Sequence, residues 1–207
     1  MSNAFFHDDT ATVQLQPTLL QMPLYADSLP VSLRYAGLGY VLMHQMMHAL
    51  NDIFPLLEGD LQDPNLQSHP SIQERNRRVR CLRNFHREES ASLGNALSRY
   101  KYSDWFRGFA TAPYLYEAVF EPSGNAVGRT SRAQREERLE GIEELSAEQL
   151  FFVGLCSTLC ASGDSDTTPA LAEERCNVPL MHMPQFQSAF RCVAGQPMIP
   201  TTRCSFW

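Results

Sequence analysis

The reading of this chain turns on Ser32-Leu-Arg-Tyr-Ala-Gly-Leu-Gly-Tyr-Val-Leu-Met-His44-Gln45-Met46-Met47-His48-Ala-Leu-Asn51. The stretch is long, largely apolar and free of Pro, so it predicts one buried helix over Ser32–Asn51. Gly37 and Gly39 weaken helix propensity, which predicts another element packed closely against them. On a helix, His44 and His48 project from one face, one above the other. That is the separation at which a single helix can give two ligands to a zinc ion. Spacing alone is a weak signal, because paired His on an apolar helix are more often packed or hydrogen-bonded core residues.

Composition narrows the classes. A chain of 207 residues can bury one sizeable core. A net charge of −6, with no basic patch interleaved with aromatics, argues against nucleic acid as a partner. No apolar run reaches the length of a membrane span, and the first residues lack the basic start and apolar core of a signal peptide. Six cysteines suit an oxidising compartment, and they show no C-x-x-C pairs of zinc-ribbon spacing.

Outward from the central helix the elements read as follows. Val13 and Leu15 alternate with polar neighbours, predicting a strand over Thr12–Gln16. Pro17, Pro23 and Pro30 punctuate the next stretch into loop, and Ser32 reads as an N-cap. A charged helix is predicted over Ser71–Arg87, followed by a second helix from Glu88 towards Tyr100. Gly108 to Gly128 mixes aromatics with Pro113 and Pro122 and reads as irregular. The charge run Arg132–Glu144 reads as exposed helix or a mobile insertion, here placed at 130–145. Ser146 and Gln149 form a capping box that opens an apolar helix through Leu159. Asp164–Ala172 reads as loop, and Pro184–Phe190 as a short amphipathic turn.

Several of these stretches together resemble one family. Asn3-Ala4-Phe5-Phe6 is similar to N-A-F-Y, and Gln21-Met22-Pro23-Leu24-Tyr25 to Q-P-P-F-F. Ser32 to Gly39 is similar to S-L-N-Y-G-G-I-G, and it runs into His44–His48, which stands where H-E-x-x-H is found. Glu88 to Tyr100 resembles E-N-I-A-D-N-G-G-L…A-Y, and Gln149-Leu150-Phe151-Phe152 resembles Q-L-F-F. Phe190-Arg191-Cys192 and the terminal Cys204-x-x-Trp207 complete the pattern. The chain thus resembles the C-terminal catalytic part of neprilysin and endothelin-converting-enzyme-type zinc metalloendopeptidases, with the family's large N-terminal lobe absent from the sequence. The resemblance implies a mainly helical, zincin-like (thermolysin-like) subdomain with a small β element, spanning 1–207 as one domain. It also implies zinc held by His44, His48 and Glu88, and a peptide substrate met by Asn3, Ala4 and Arg175. It pairs Cys81 with Cys204. Cys160 and Cys192 have family partners in the missing lobe, so they pair with each other, pair with Cys156 or Cys176, or stay free. An extracellular or ectodomain location follows from the same resemblance.

The departures from the family pattern fall on the chemistry. Gln45 stands at the general-base position, and an amide accepts no proton at neutral pH; losing such a group costs on the order of 10²–10⁴ in rate. Asn51 and Ser92 stand where the family has Asp residues that orient the zinc imidazoles, each worth roughly 10–100-fold in affinity or activity. Pro169 stands at the position of the oxyanion-stabilising His, whose loss costs roughly 10²–10³. These substitutions lead to the expectation of an impaired metalloendopeptidase domain that keeps a weakened zinc site and binds peptides or a protein partner. Two other readings stand beside it: a working zinc peptidase whose base comes from elsewhere, such as Glu89, and a structural or interaction domain without metal.

Overall fold

In the computed structural model the central stretch is helical from Val31 to Met46, in three consecutive pieces. These are α1 (Val31–Arg34), a π turn (Tyr35–Gly39) and α2 (Tyr40–Met46). The structure describes residues 4–48, 68–93, 102–121, 136–160 and 169–205; within these, the side chains of Arg75 and of 86–93, 102–107 and 169–172 lie outside the description.

The start of the helix differs from the reading above. Pro30, extended at φ −50° and ψ 146°, takes the N-cap position, and Ser32 lies fully buried inside the first turn. The cap comes from far along the chain: the Val31 N–H donates to Glu137 Oε2 at 2.9 Å. A carboxylate there also meets the positive end of the helix dipole. Glu137 belongs to the charge run, whose described part, 136–145, forms turns rather than helix.

The π turn coincides with a contact from outside the helix. The Leu38 N–H donates to the Leu24 carbonyl at 3.1 Å. Leu24 comes so close that a Cβ on Gly37 would collide with that carbonyl. Glycine at this position is what lets the loop seat itself on the helix.

Four further long helices follow along the chain. They are α3 (Pro70–Leu93), α4 (Tyr102–Phe120), α5 (Ala147–Leu159) and α6 (Pro169–Met181), followed by the short α7 (Pro184–Phe190). The capping box at the start of α5 is present: Ser146 Oγ accepts the Gln149 N–H, and Gln149 Oε1 accepts the Ser146 N–H. α5 packs on α1, the π turn and α6, while α4 packs on α2 and α6. Gly154 makes the closest approach, since a Cβ there would lie 2.7 Å from Leu33 Cδ2. Thr158 Oγ1 lies 3.1 Å from the Ala36 carbonyl in the π turn and 3.0 Å from the Gly154 carbonyl, so its hydroxyl hydrogen ties α5 to the central rod.

The main core gathers Ala36, Tyr40, Ala112, Tyr116, Phe151 and Phe152 with their neighbours. Tyr116 and Phe152 stack at 5.5 Å between ring centroids, the kind of aromatic pair that adds to simple burial. Three expectations change here. Of the stretch Gly108–Gly128 read as irregular, Gly108–Phe120 belongs to a helix, Tyr102–Phe120, despite Pro113, and 122–128 lie outside the described residues. The charged stretch and the segment after it form one helix, α3, through Leu93. Pro169 opens α6, so 169–172 of the stretch predicted as loop are helix, and 164–168 lie outside the described residues; Pro is well suited to a first helical position, where its missing N–H costs nothing.

The Cys81–Cys204 disulfide implied by the resemblance is formed and ties α3 to the C-terminal segment. Beside it, buried His182 accepts the Cys204 N–H on Nδ1 at 3.0 Å, with Phe85 and Phe109 edge-on to its ring. A second disulfide, Cys156–Cys176, joins α5 to α6. Cys160 and Cys192 are free thiols. At the N-terminal end, β1 (Ala4–His7) and β2 (Thr12–Leu15) form an antiparallel hairpin with Ala4 opposite Leu15, and β1 packs on α2.

Candidate functional site

The hairpin, the loop through Leu24, α2, the end of α5 and α6 enclose a cavity of about 370 Å³. Leu19, Leu24, Val41 and Leu159 form its apolar wall. Its polar groups come from Tyr40, His44, Gln45, Thr158 and Arg175, and Ala4 closes it at the hairpin. The volume lies at the small end of the range of about 300–1,000 Å³ typical of ligand pockets.

α2 supplies most of the chemistry because Tyr40, His44 and His48 recur at four-residue spacing. Tyr40 and His44 stack with ring centroids 6.0 Å apart, and His44 meets His48 edge-on at 5.6 Å. Burial pushes the Tyr40 phenol up to about 12, with the Arg175 guanidinium pulling the other way. Tyr40 is therefore a neutral hydroxyl at physiological pH. Arg175 reaches the cavity from α6, and the Cys156–Cys176 bridge fixes the neighbouring residue against α5.

Of the residues singled out in the sequence, Ala4, His44, Gln45 and Arg175 meet around this one cavity. His48 lies beside His44 at the end of the helix. Asn3 and Asn51 lie outside the described residues. Glu88 and Ser92 sit on the α3 backbone and Pro169 begins α6, with their side chains outside the description. Among the described residues no three His, Cys, Asp or Glu side chains gather as a metal-binding group. The two imidazoles are suited to zinc by donor type and by adjacency on one helical face.

Tyr40 and Thr158 were not singled out by the sequence. The Tyr40-x-x-x-His44-x-x-x-His48 spacing was a readable signal for the first. Thr158 gave none, because its place depends on how closely α5 approaches the π turn.

Comparison with known proteins accords with this arrangement of motifs. The profile of peptidase family M13 matches residues 3–206. Neprilysin-1 of Caenorhabditis elegans is 27% identical over 220 residues, covering 99% of this chain and 28% of the relative. Neprilysin-1 of Trittame loki is 26% identical over 229 residues, covering 99% and 29%. Human Endothelin-converting enzyme 1 is 25% identical over 221 residues, covering 100% and 27%. The chain therefore spans less than a third of the length of these relatives. Matched along nearly its whole length, it belongs to peptidase family M13.

Proposed function

We propose that this M13 domain binds peptide in the cavity beside α2 and does not hydrolyse it efficiently. The observation that carries the reading is Gln45, a cavity-lining amide between the two His of the motif helix. Hydrolysis needs a group that takes a proton from the attacking water, and an amide cannot do so. Tyr40, which also lines the cavity, is held protonated by burial. Glu89 follows Glu88 directly on α3, and a helix turns about 100° per residue, so the two positions lie on different faces of the helix and Glu89 is a poor substitute for the missing base.

His44 and His48, with Glu88, are the residues that would hold zinc in this domain. When bound, zinc supplies Lewis-acid polarisation of a peptide carbonyl. The domain's own groups do the rest of the binding. Ala4 begins β1 and offers main-chain groups to an extended chain. Arg175 donates from α6, and the leucines of the wall take an apolar side chain. Asn51, Ser92 and Pro169 stand where the family has carboxylates and a His, and their loss weakens metal orientation and oxyanion stabilisation. The disulfides favour an oxidising, extracellular setting. Among the described residues no helix is long and apolar enough to cross a membrane.

The test is an end-blocked, internally quenched peptide incubated with the protein and supplied zinc. The reading expects saturable binding by fluorescence anisotropy and intact peptide by mass spectrometry. Chelator-sensitive cleavage would overturn the impairment, and absence of binding would overturn the peptide-binding role.

A further inference from the structure

Three cysteines flank lining residues of the cavity, and only two of them are bonded to each other. We propose that Cys156, Cys160 and Cys176 form a thiol–disulfide exchange site. Cys160 displaces Cys156 from the bridge to Cys176, and the exchange resets the cavity wall between α5 and α6. The exchange concerns the chain's own bonds and is independent of what the cavity binds.

Cys160 is an exposed free thiol and the C-cap of α5. Its φ of −61° keeps its Cβ in helical register, although ψ 123° turns the chain away after it. Residues four apart on a helix are neighbours, with Cβ atoms about 5–6 Å apart, so the Cys160 side chain stands next to that of Cys156. Cys156 and Cys176 are both half-buried, which leaves their bridge open to an attacking thiolate. A disulfide needs Cβ atoms about 3.5–4.5 Å apart, closer than two such positions on one helix, so Cys156–Cys160 is the disfavoured product. Attack on Cys176 instead gives another bridge between the two helices. The Cys160 thiolate forms a bond to Cys176 Sγ, the Cys156–Cys176 bond breaks, and Cys156 leaves as a thiolate. Cys156 then takes up the proton that Cys160 gave to solvent. One disulfide and one thiol are present before and after, so no oxidant or reductant is consumed. The Cys160 N–H closes the last turn on the Ser157 carbonyl at 3.1 Å, a three-residue step typical of helix ends that fray, which frees Cys160 to reach α6. Thr158 and Leu159 lie between the two competing cysteines of α5, Arg175 precedes Cys176 on α6, and all three line the cavity. Moving the tether from Cys156 to Cys160 shifts its anchor along α5 by about 6 Å, so the two helices must re-register across the cavity wall.

The test uses the Cys192→Ser chain, in which Cys160 is the one thiol outside the two bridges. It is held without oxygen or added thiol at mildly alkaline pH, trapped with N-ethylmaleimide over time, and mapped by mass spectrometry without reduction. The label is expected on both Cys160 and Cys156, with Cys160–Cys176 as the matching new bridge and a rate independent of protein concentration. Label confined to Cys160, or exchange that scales with protein concentration, overturns the proposal. Two further variants, Cys156→Ser and Cys160→Ser in the same background, each hold one bridge alone. Cys156→Ser, purified as the parent is, should form Cys160–Cys176 as a folded monomer; Cys160 and Cys176 both found free in the folded variant would overturn the proposal. If that variant does not fold, the trapping result on the Cys192→Ser chain decides. Nuclear Overhauser contacts between α5 and α6 should differ between the two variants by one turn of α5, and an unchanged set would overturn the resetting of the cavity wall. None of these measurements needs a bound peptide, so failure of the peptide-binding role would leave the exchange standing.

Discussion

Gly37→Ala is the sharpest perturbation of the architecture that holds the site. In an ordinary exposed helix this change stabilises by about 1 kcal/mol through helix propensity. Here the added Cβ would strike the Leu24 carbonyl oxygen, with the carbonyl carbon 3.2 Å and the Leu24 Cα 3.3 Å away. These are backbone atoms and cannot swing aside like a side chain. Moving Leu24 breaks the bond from the Leu38 N–H, and a buried donor left unsatisfied costs about 1–3 kcal/mol. Overpacking adds about 1–3 kcal/mol. Set against the propensity gain, the balance is a loss of about 3 kcal/mol. For a chain of 207 residues this lowers Tm by roughly 6–12 °C. Thermal and urea unfolding of both proteins, monitored by circular dichroism, measure it directly. A variant as stable as the parent, or more so, would show that Leu24 does not sit against the π turn and that the cavity wall is drawn incorrectly.

The other predictions follow from single contacts. Glu137→Ala removes the remote cap on the Val31 N–H and should cost about 1 kcal/mol, read as a fall in Tm of roughly 2–4 °C. Tyr40, raised by burial to about 12, contributes stability that is complete below its unfolded value near 10 and is lost as pH rises from there through 12. Alkaline unfolding should therefore begin above pH 10 and be blunted in Tyr40→Phe, as followed by tyrosinate absorbance. Glu74 is held down at about 2 by hydrogen bonds from Arg77 and Arg78, so its contribution to α3 is present above the ordinary carboxylate range and lost as pH falls through 2. Its carboxyl NMR titration should show that low midpoint and shift upward in high salt, because the group is exposed and screened.

The elements readable from the sequence were those whose cause lies within a few residues. Ser146 and Gln149 close their capping box on each other, so α5 was legible from its first turn. Val13 and Leu15 alternate within β2 itself. What failed to show depends on distant partners. Glu137 caps α1 across 106 residues, and that support made Ser32 unnecessary as an N-cap. The π turn needs the Leu24 carbonyl. In α4, Phe109, Ala112, Tyr116 and Val119 are buried at helical spacing, a pattern masked by Pro113 and the surrounding aromatics. Tertiary packing of that face outweighs the local cost of the proline. The candidate site divides the same way. His44 and Gln45 were legible because one helix carries both, and Arg175 became legible only through the family resemblance. Tyr40 stands one turn before His44 on the same helix and was readable from that spacing, whereas Thr158 joins only through the packing of α5 on the π turn.

The most direct trial of the central claim measures zinc content and peptide cleavage on one purified sample. The account predicts that adding zinc, up to one equivalent bound, produces no chelator-sensitive cleavage of a quenched peptide, and that Gln45→Glu restores only part of the activity while Asn51, Ser92 and Pro169 remain. Efficient, chelator-inhibited cleavage by the unaltered chain would contradict it.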